Sequence, residues 1–239
     1  MRDDDADHKW HGLDLTAALR ILAHAGRADP TAKKGDPTAQ LQALIDALCD
    51  LTLHDGLTGL VNATFFRAAL AGEIDRSLRT GRPCGLLLLD IDHFKRVNDT
   101  WGHPVGDLVL QRLAAQLRRS LRSMDTPARL GGEEFAVILP ECDAMDAVSA
   151  AARIHGLLNP LVVETGDARL SVTTSAGLVW TEIWDAVTVE ELIARADEQL
   201  YRAKQAGRAR LCYPVLTATQ VSVQERAALS LSMPEEGLP

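Results

Sequence analysis

Four carboxylates stand where two apolar stretches begin or end. Gly85-Leu86-Leu87-Leu88-Leu89 runs into Asp90-Ile91-Asp92, and Gly131-Gly132 opens Glu133-Glu134-Phe135-Ala136-Val137-Ile138-Leu139. An acid at the end of a buried strand is costly unless it is paired or binds a cation. Residues i and i+2 of a strand share a face, so Asp90 and Asp92 point the same way if the strand continues. Adjacent residues point to opposite faces, which gives Glu133 and Glu134 different tasks. Taken alone, D-x-D reads as a surface strand end with Lys95 as charge partner, and Gly-Gly-Glu-Glu as a solvated turn. On adjacent strands the acids converge. Hard divalent ions, Mg²⁺ above all, take oxygen ligands and bridge carboxylates to substrate phosphates, so the chemistry implied is two-metal phosphoryl transfer.

Such acids need a sheet to hold them. Residues 85–91 form a continuous apolar run, the signature of a central strand buried on both faces. Gly131 and Gly132 supply the positive φ of a tight hairpin turn between strands near 126–130 and 134–140. A helix is expected over 64–80, ended by Arg82 and Pro83. Another starts near Pro104, with Val105, Val109, Leu113 and Leu117 inward. Asp143 caps a helix reaching Leu158, Leu170–Val179 reads as one alternating strand, and Thr188 caps a helix ending near Gln205 with Gly207 just beyond. Leu211-Cys212-Tyr213 closes the series as a short strand. Helices and strands alternate around an internal hairpin, which predicts an α/β fold with a mixed or antiparallel central sheet flanked by helices.

The flanks read differently. Residues 1–37 form an acidic and helical extension with a linker, its helix over about Leu13–Ala25. Residues 38–54 form a helix capped by Thr38 whose Leu41, Leu44, Leu48 and Leu51 make a heptad-like seam, either packed on its own domain or serving as a dimer stalk. Residues 55–214 form the main domain, and 215–239 a loose tail with one weak helix around 220–231.

Composition narrows the function. An apolar fraction of 46% suffices for a core, and a net charge of −8 excludes general affinity for nucleic acid. Cys49, Cys84, Cys142 and Cys212 are far apart with no C-x-x-C pair, which predicts reduced thiols in a cytoplasmic protein. The start, with Asp3, Asp4, Asp5 and Asp7, is no signal peptide, and no apolar run is long enough for a membrane span.

Several ordered motifs then carry a resemblance. Asp55–Asn62, D-I-D-H-F-K at 90–95, N-D-T-W-G-H at 98–103, Gly106-Asp107, R-L-G-G-E-E-F at 129–135 and A-D-E-Q-L-Y-R-A-K-Q-A-G-R at 196–208 together resemble the GGDEF family of diguanylate cyclases. The resemblance implies a fold like that of class III nucleotide cyclases and the polymerase palm. It implies condensation of two GTP into cyclic di-GMP with release of two pyrophosphates by a homodimer. By position, Asp90, Glu133 and the backbone carbonyl of Ile91 would hold two Mg²⁺ (or Mn²⁺) ions per half-site. Glu133 or Glu134 would help remove the attacking hydroxyl's proton, and Gly131 and Gly132 would let the backbone approach the nucleotide. Asn98 and Asp107 match guanine-edge positions. His93, Phe94, Lys95, Lys204 and Arg208 match the phosphate-binding set. Ala209 departs from the family's usual Asn.

The resemblance also implies regulation. Arg122 and Asp125 match the product-binding inhibitory motif, with Arg153 as a further arginine for cyclic di-GMP. A GGDEF domain without catalysis, sensing cyclic di-GMP or GTP, is the alternative. Such members usually lose metal or turn residues that this chain keeps.

Overall fold

The computed structural model describes residues 9–10, 13–32, 36–166, 168–182 and 186–215. The weak helix expected around 220–231 and the acidic start at 1–8 lie outside the described residues. The chain divides into two compact units, residues 1–56 and the part from Leu57 onward.

In the first unit, Lys9–Trp10 (β1) and Leu13–Asp14 (β2) pair antiparallel. Thr16–His24 forms α1 and Pro37–Leu53 forms α2. The cap of α2 is Asp36 and not Thr38: its carboxylate accepts the Ala39 N–H at 3.2 Å, with Pro37 at the helix start. Proline has no N–H to satisfy and a helix-ready φ, so it favours the first helical position and moves the cap two residues back, from Thr38 to Asp36. Arg27 meets Asp50 at 2.6 Å. Of the leucine seam, Leu44 is buried, while Leu41, Leu48 and Leu51 are half-buried.

The second unit runs Val61–Asn62 (β3), Ala63–Thr80 (α3), Gly85–Ile91 (β4), Phe94–Trp101 (α4), His103–Ser120 (α5), Thr126–Gly131 (β5), Glu134–Leu139 (β6), Ala144–Leu158 (α6), Leu161–Thr165 (β7), Ala168–Val172 (β8), Thr174–Trp180 (β9), Val189–Gln205 (α7) and Leu211–Cys212 (β10). Six strands form one sheet in the order β10-β9-β4-β6-β5-β3. β4 is antiparallel to both β6 and β9, while the outer strands β3 and β10 run parallel to their neighbours. The sheet is therefore mixed, with helices on both faces, as the alternation of elements requires.

All seven residues of β4 are buried. Leu87, Leu89 and Ile91 pack in one cluster with Val109, Leu113 and Ile154 of α5 and α6. Leu86 and Leu88 face the other way, among Phe66 and Leu70 of α3 and Leu192, Ala196 and Leu200 of α7. The strand's period of two continues into Asp90, which belongs to the α3/α7 side. α7 lies close on β9 because Gly177 has no side chain: a Cβ there would stand 2.3 Å from Ala196 O and from Leu200 N.

The caps read from sequence at Asp143 and Thr188 form, the latter with a reciprocal Glu191 bond that completes a capping box. The single strand expected over Leu170–Val179 does not. The chain breaks at Thr173, so β8 pairs with β7 in a separate two-stranded sheet while β9 joins the main one. Side chains take over the ladder at the break: Thr173 donates its hydroxyl to Asp92, and the Thr174 N–H goes to Asn159 Oδ1 at 2.7 Å. α4 was not anticipated either. It has eight residues and buries only Phe94 and Val97, too few apolar positions for a periodic signal.

Candidate active site

Asp90 and Glu134 are directly opposed across β4 and β6, which places both side chains on the α3/α7 face. Beyond them the ladder closes with the Ile91 N–H on Glu133 O at 3.3 Å. The hairpin carries an irregularity between Arg129 and Gly131. Its tip uses Gly131 at φ 155° and Gly132 at φ 47°, conformations that side chains rarely adopt. Arg129 grips this tip, donating Nε–H at 3.1 Å and a terminal N–H at 2.7 Å to the Gly132 carbonyl. A fork of this kind fixes the turn in one plane, so Arg129 holds Glu133 beside the end of β4.

The electrostatics of the pair are unfavourable as they stand. The Asp90 side chain is 7% exposed, and Lys204 Nζ sits 2.8 Å from its Oδ2. Burial pushes the Asp90 carboxyl above its ordinary value. The Lys204 bond and charge oppose this, Asp92 adds to it, and Arg208 lowers it. Glu133 is also raised, by burial first and then by the charge of Asp90, with Lys204 opposing and Glu134 adding. Two acids that each resist ionisation because of burial and of a neighbouring carboxylate, Asp92 for Asp90 and Asp90 for Glu133, fit a divalent cation, which would favour the charged form of both. Among the described residues no group of three or more His, Cys, Asp or Glu side chains could hold a metal ion. Asp90 and Glu133 are the side-chain carboxylates this site would offer a cation. That is enough for Mg²⁺, which keeps waters and substrate phosphates as its other ligands.

Asp92 does something different from Asp90. Its carboxylate accepts from Ser175 Oγ at 2.7 Å, Thr173 Oγ1 at 2.7 Å and the Ala209 N–H at 3.0 Å, and its own N–H donates to Thr173 O at 2.9 Å. It ties the segment after α7 to the end of β4. That segment is strained: Gly207, Arg208 and Ala209 have φ of 107°, 62° and 48°. The result puts Arg208, with Lys204 one turn earlier, over Asp90. The cation pair and the acids named from sequence are therefore brought together.

Next to this, His93 takes a left-handed conformation at φ 59° and starts α4. Phe94 is buried, and Lys95 is exposed with no ion pair among the described residues. Asn98 lies one turn along α4 from Phe94. Asp107 is exposed in the first turns of α5, and Gly106 faces Asn98.

Arg122, Asp125 and Arg153 gather elsewhere, at the start of β5. Six residues of strand at about 3.3 Å each separate them from the glycine tip by about 20 Å. Asp125 accepts the Arg122 N–H at 2.8 Å and returns its own N–H to the Arg122 carbonyl at 3.1 Å. Burial raises the Asp125 carboxyl, against the Arg122 backbone bond and the charges of Arg122 and Arg153. Arg153 donates to the Ser120 carbonyl at the end of α5, so the turn is closed by all three residues.

The sequence motifs contain Arg129, Asp92 and Gly106 but not their roles, Arg129 as the clamp on the turn, Asp92 as the tie to Ala209 and Gly106 as the neighbour of Asn98, because each role rests on a contact that only the folded chain makes.

The chain is similar to the response regulator PleD of Caulobacter vibrioides, 41% identical over 173 residues that cover 72% of this chain and 38% of PleD. It is also similar to the probable diguanylate cyclase DgcC of Escherichia coli, 38% identical over 161 residues, covering 67% and 43% of the two. The chain thus spans about two fifths of the length of these curated relatives. Among solved structures, diguanylate cyclase SiaD of Pseudomonas aeruginosa, in complex with its activator SiaC, matches with TM-score 0.68 and 35% identity over 83% of this chain and 74% of SiaD. The coiled coil and GGDEF domain of DgcB from Caulobacter crescentus, in complex with c-di-GMP, matches with TM-score 0.69 and 26% identity over 83% and 100%. The family model for the diguanylate cyclase GGDEF domain matches residues 52–210, a stretch that contains every site residue named above, and the chain belongs to the GGDEF family.

Proposed function

We propose that the chain is a diguanylate cyclase that condenses two GTP into cyclic di-GMP and releases two pyrophosphates. The observation that carries this reading is the arrangement of Asp90 and Glu133, two acids raised by burial, with Lys204 2.8 Å from Asp90. That set of charges suits a polyphosphate bound with divalent cations.

Asp90, Glu133 and the Ile91 carbonyl are the ligands for Mg²⁺ or Mn²⁺, two ions per half-site. When bound, the ions offset the triphosphate charge and polarise the α-phosphorus. Lys204 and Arg208 take the phosphate oxygens from the α7 side. The backbone N–H groups at His93 and Phe94 take them from the start of α4, where the helix dipole favours anions, with Lys95 at the rim. Asn98 both donates and accepts, and Asp107 accepts, at the edge of guanine. The 3′-oxygen of one GTP attacks the α-phosphorus of the other, the bond to the pyrophosphate oxygen breaks, and the hydroxyl proton passes to a base. Glu133 or Glu134 is that base or orients the hydroxyl.

One domain offers one such set, so the reaction needs two copies facing each other, and homodimerisation supplies proximity and orientation. The half-buried Leu41, Leu48 and Leu51 of α2 support a role as dimer stalk. Product binds at Arg122, Asp125 and Arg153 and inhibits; the arginines offer forks for phosphate and flat faces for guanine. Among the described residues no helix is long and apolar enough to cross a membrane, and Cys84 and Cys142 are free thiols, which supports a cytoplasmic setting.

The test is incubation of the purified chain with GTP and Mg²⁺, with product identified by mass spectrometry. Cyclic di-GMP from the wild type and none from Glu133→Ala supports the reading; product that survives Glu133→Ala overturns the site.

A further inference from the structure

We infer that Gly106 is the positioning residue that sets base specificity, by holding the Asn98 carboxamide in its reading orientation. This rests on the reading of Asn98 as a guanine-edge residue.

Gly106 is buried in the first turns of α5. Its φ lies outside the left-handed region, so the backbone does not require glycine there. In a helix, glycine is less favourable than alanine, and something must justify it. The contact does. A Cβ on Gly106 would stand 1.9 Å from Asn98 Oδ1, 3.0 Å from its Cγ and 3.3 Å from Phe94 Cζ. Asn98 and Phe94 are four residues apart on α4 and share one helix face. That face presses on the bare Cα of Gly106.

Among the described residues the Asn98 carboxamide makes no hydrogen bond, so its polar atoms are available to a ligand and its rotamer is set by shape. An amide that must present a donor on one side and an acceptor on the other gains from being held before the base arrives. A Cβ at 106 displaces the amide, because 1.9 Å lies far inside contact distance and the carboxamide is the flexible partner that gives way. Asp107 follows directly in the chain, so one residue fixes the spacing of the two polar groups that read the base.

The experiment measures binding of 3′-deoxy-GTP, which lacks the attacking hydroxyl, with Mg²⁺ to the full chain, alongside 3′-deoxy-ATP. Four proteins are compared: wild type, Gly106→Ala, Asn98→Ala and the double variant. We expect Gly106→Ala to lose about tenfold in affinity for the guanine nucleotide, the scale of one mispaired polar contact, and little for the adenine nucleotide. In the Asn98→Ala background the same change should cost less than about twofold, because the colliding group is gone. A single variant that does not fold beside a double variant that does also supports the contact. Equal guanine affinity in Gly106→Ala and wild type overturns the inference, as does a loss that persists in the Asn98→Ala background or a double variant that fails to fold. A wild type that binds neither nucleotide strikes the functional reading itself.

Discussion

Lys204 and Asp90, 114 positions apart in sequence, meet at 2.8 Å with the aspartate almost fully buried. The pair is the seam between the sheet and α7, and it lies where an acid from the hairpin, Glu133, also feels Asp90's charge. The lysine offsets part of the negative charge gathered there.

That balance has a consequence for stability. Asp90 and Glu133 are raised above 3.8 and 4.5 in the fold. A raised acid favours the folded state below its unfolded value, and that contribution is lost as pH rises through the folded value. Near neutral pH both acids therefore work against the fold. Glu133→Gln should raise the melting temperature of the metal-free protein at pH 7.5 while activity is lost. Mg²⁺ should raise the wild-type melting temperature and do less for the variant. A variant that melts below the wild type in the absence of metal would contradict this.

Asp90 and Asp92 are alike in sequence, and their substitutions should separate. Asp92 accepts three hydrogen bonds while buried, so Asp92→Ala leaves donors unpaired and should cost about 2–4 kcal/mol in urea unfolding. Asp90→Asn should leave the urea midpoint near that of the wild type or above it and abolish turnover. Equal stability losses at the two positions would show that the tie to Ala209 carries no weight.

This contrast marks what was legible in the sequence. The D-x-D and Gly-Gly-Glu-Glu patterns declare their chemistry by residue type, and the apolar run before Asp90 declares a buried strand. Which acid is the tie and which is left for a cation depends on Thr173, Ser175 and Ala209, which no local pattern links to Asp92. The switch between β8 and β9 was hidden for the same reason. Residues 170–179 look like one strand until Thr173 and Thr174 give their hydrogen bonds to Asp92 and Asn159. α4 was hidden by brevity, and Gly106 because only the packed structure shows what a Cβ there would meet.

Ala209 is a site for stabilisation. It sits at φ 48°, where an L-residue other than Gly, Asn or Asp is strained by about 1–2 kcal/mol. The resemblance had only marked Ala209 as a departure; the backbone supplies the reason an Asn suits the position. Ala209→Asn should stabilise by about 0.5–1 kcal/mol, read as a shift in the urea midpoint with unchanged slope. It keeps the backbone N–H that Asp92 accepts. No shift, or a lower midpoint, would place the strain elsewhere.

Arg122→Ala tests the product site apart from the chemistry. The Asp125 bond uses the Arg122 backbone, so the turn survives loss of the side chain, and the site lies at the far end of β5 from the glycine tip. Initial rates should stay within about twofold of wild type, while inhibition by added cyclic di-GMP weakens at least about tenfold, the loss of a charge-assisted fork. Inhibition that persists unchanged would remove Arg122 from the regulatory site.

Gly177 links packing to the opening pair. α7 can bring Lys204 to Asp90 only because it rests on β9 without an intervening side chain, and a Cβ at 177 would stand 2.3 Å from two backbone atoms of the helix. Backbone does not yield as a side-chain tip does, so Gly177→Ala must move α7 away from the sheet. Overpacking of this kind costs about 1–3 kcal/mol. The shift should also draw Lys204 off Asp90, so that GTP binding weakens beyond what lost stability explains in the folded fraction. Lys204→Met made in the Gly177→Ala background should then cost less affinity than it does in the wild type. Full additivity of the two changes would show that the helix position and the lysine contact are independent.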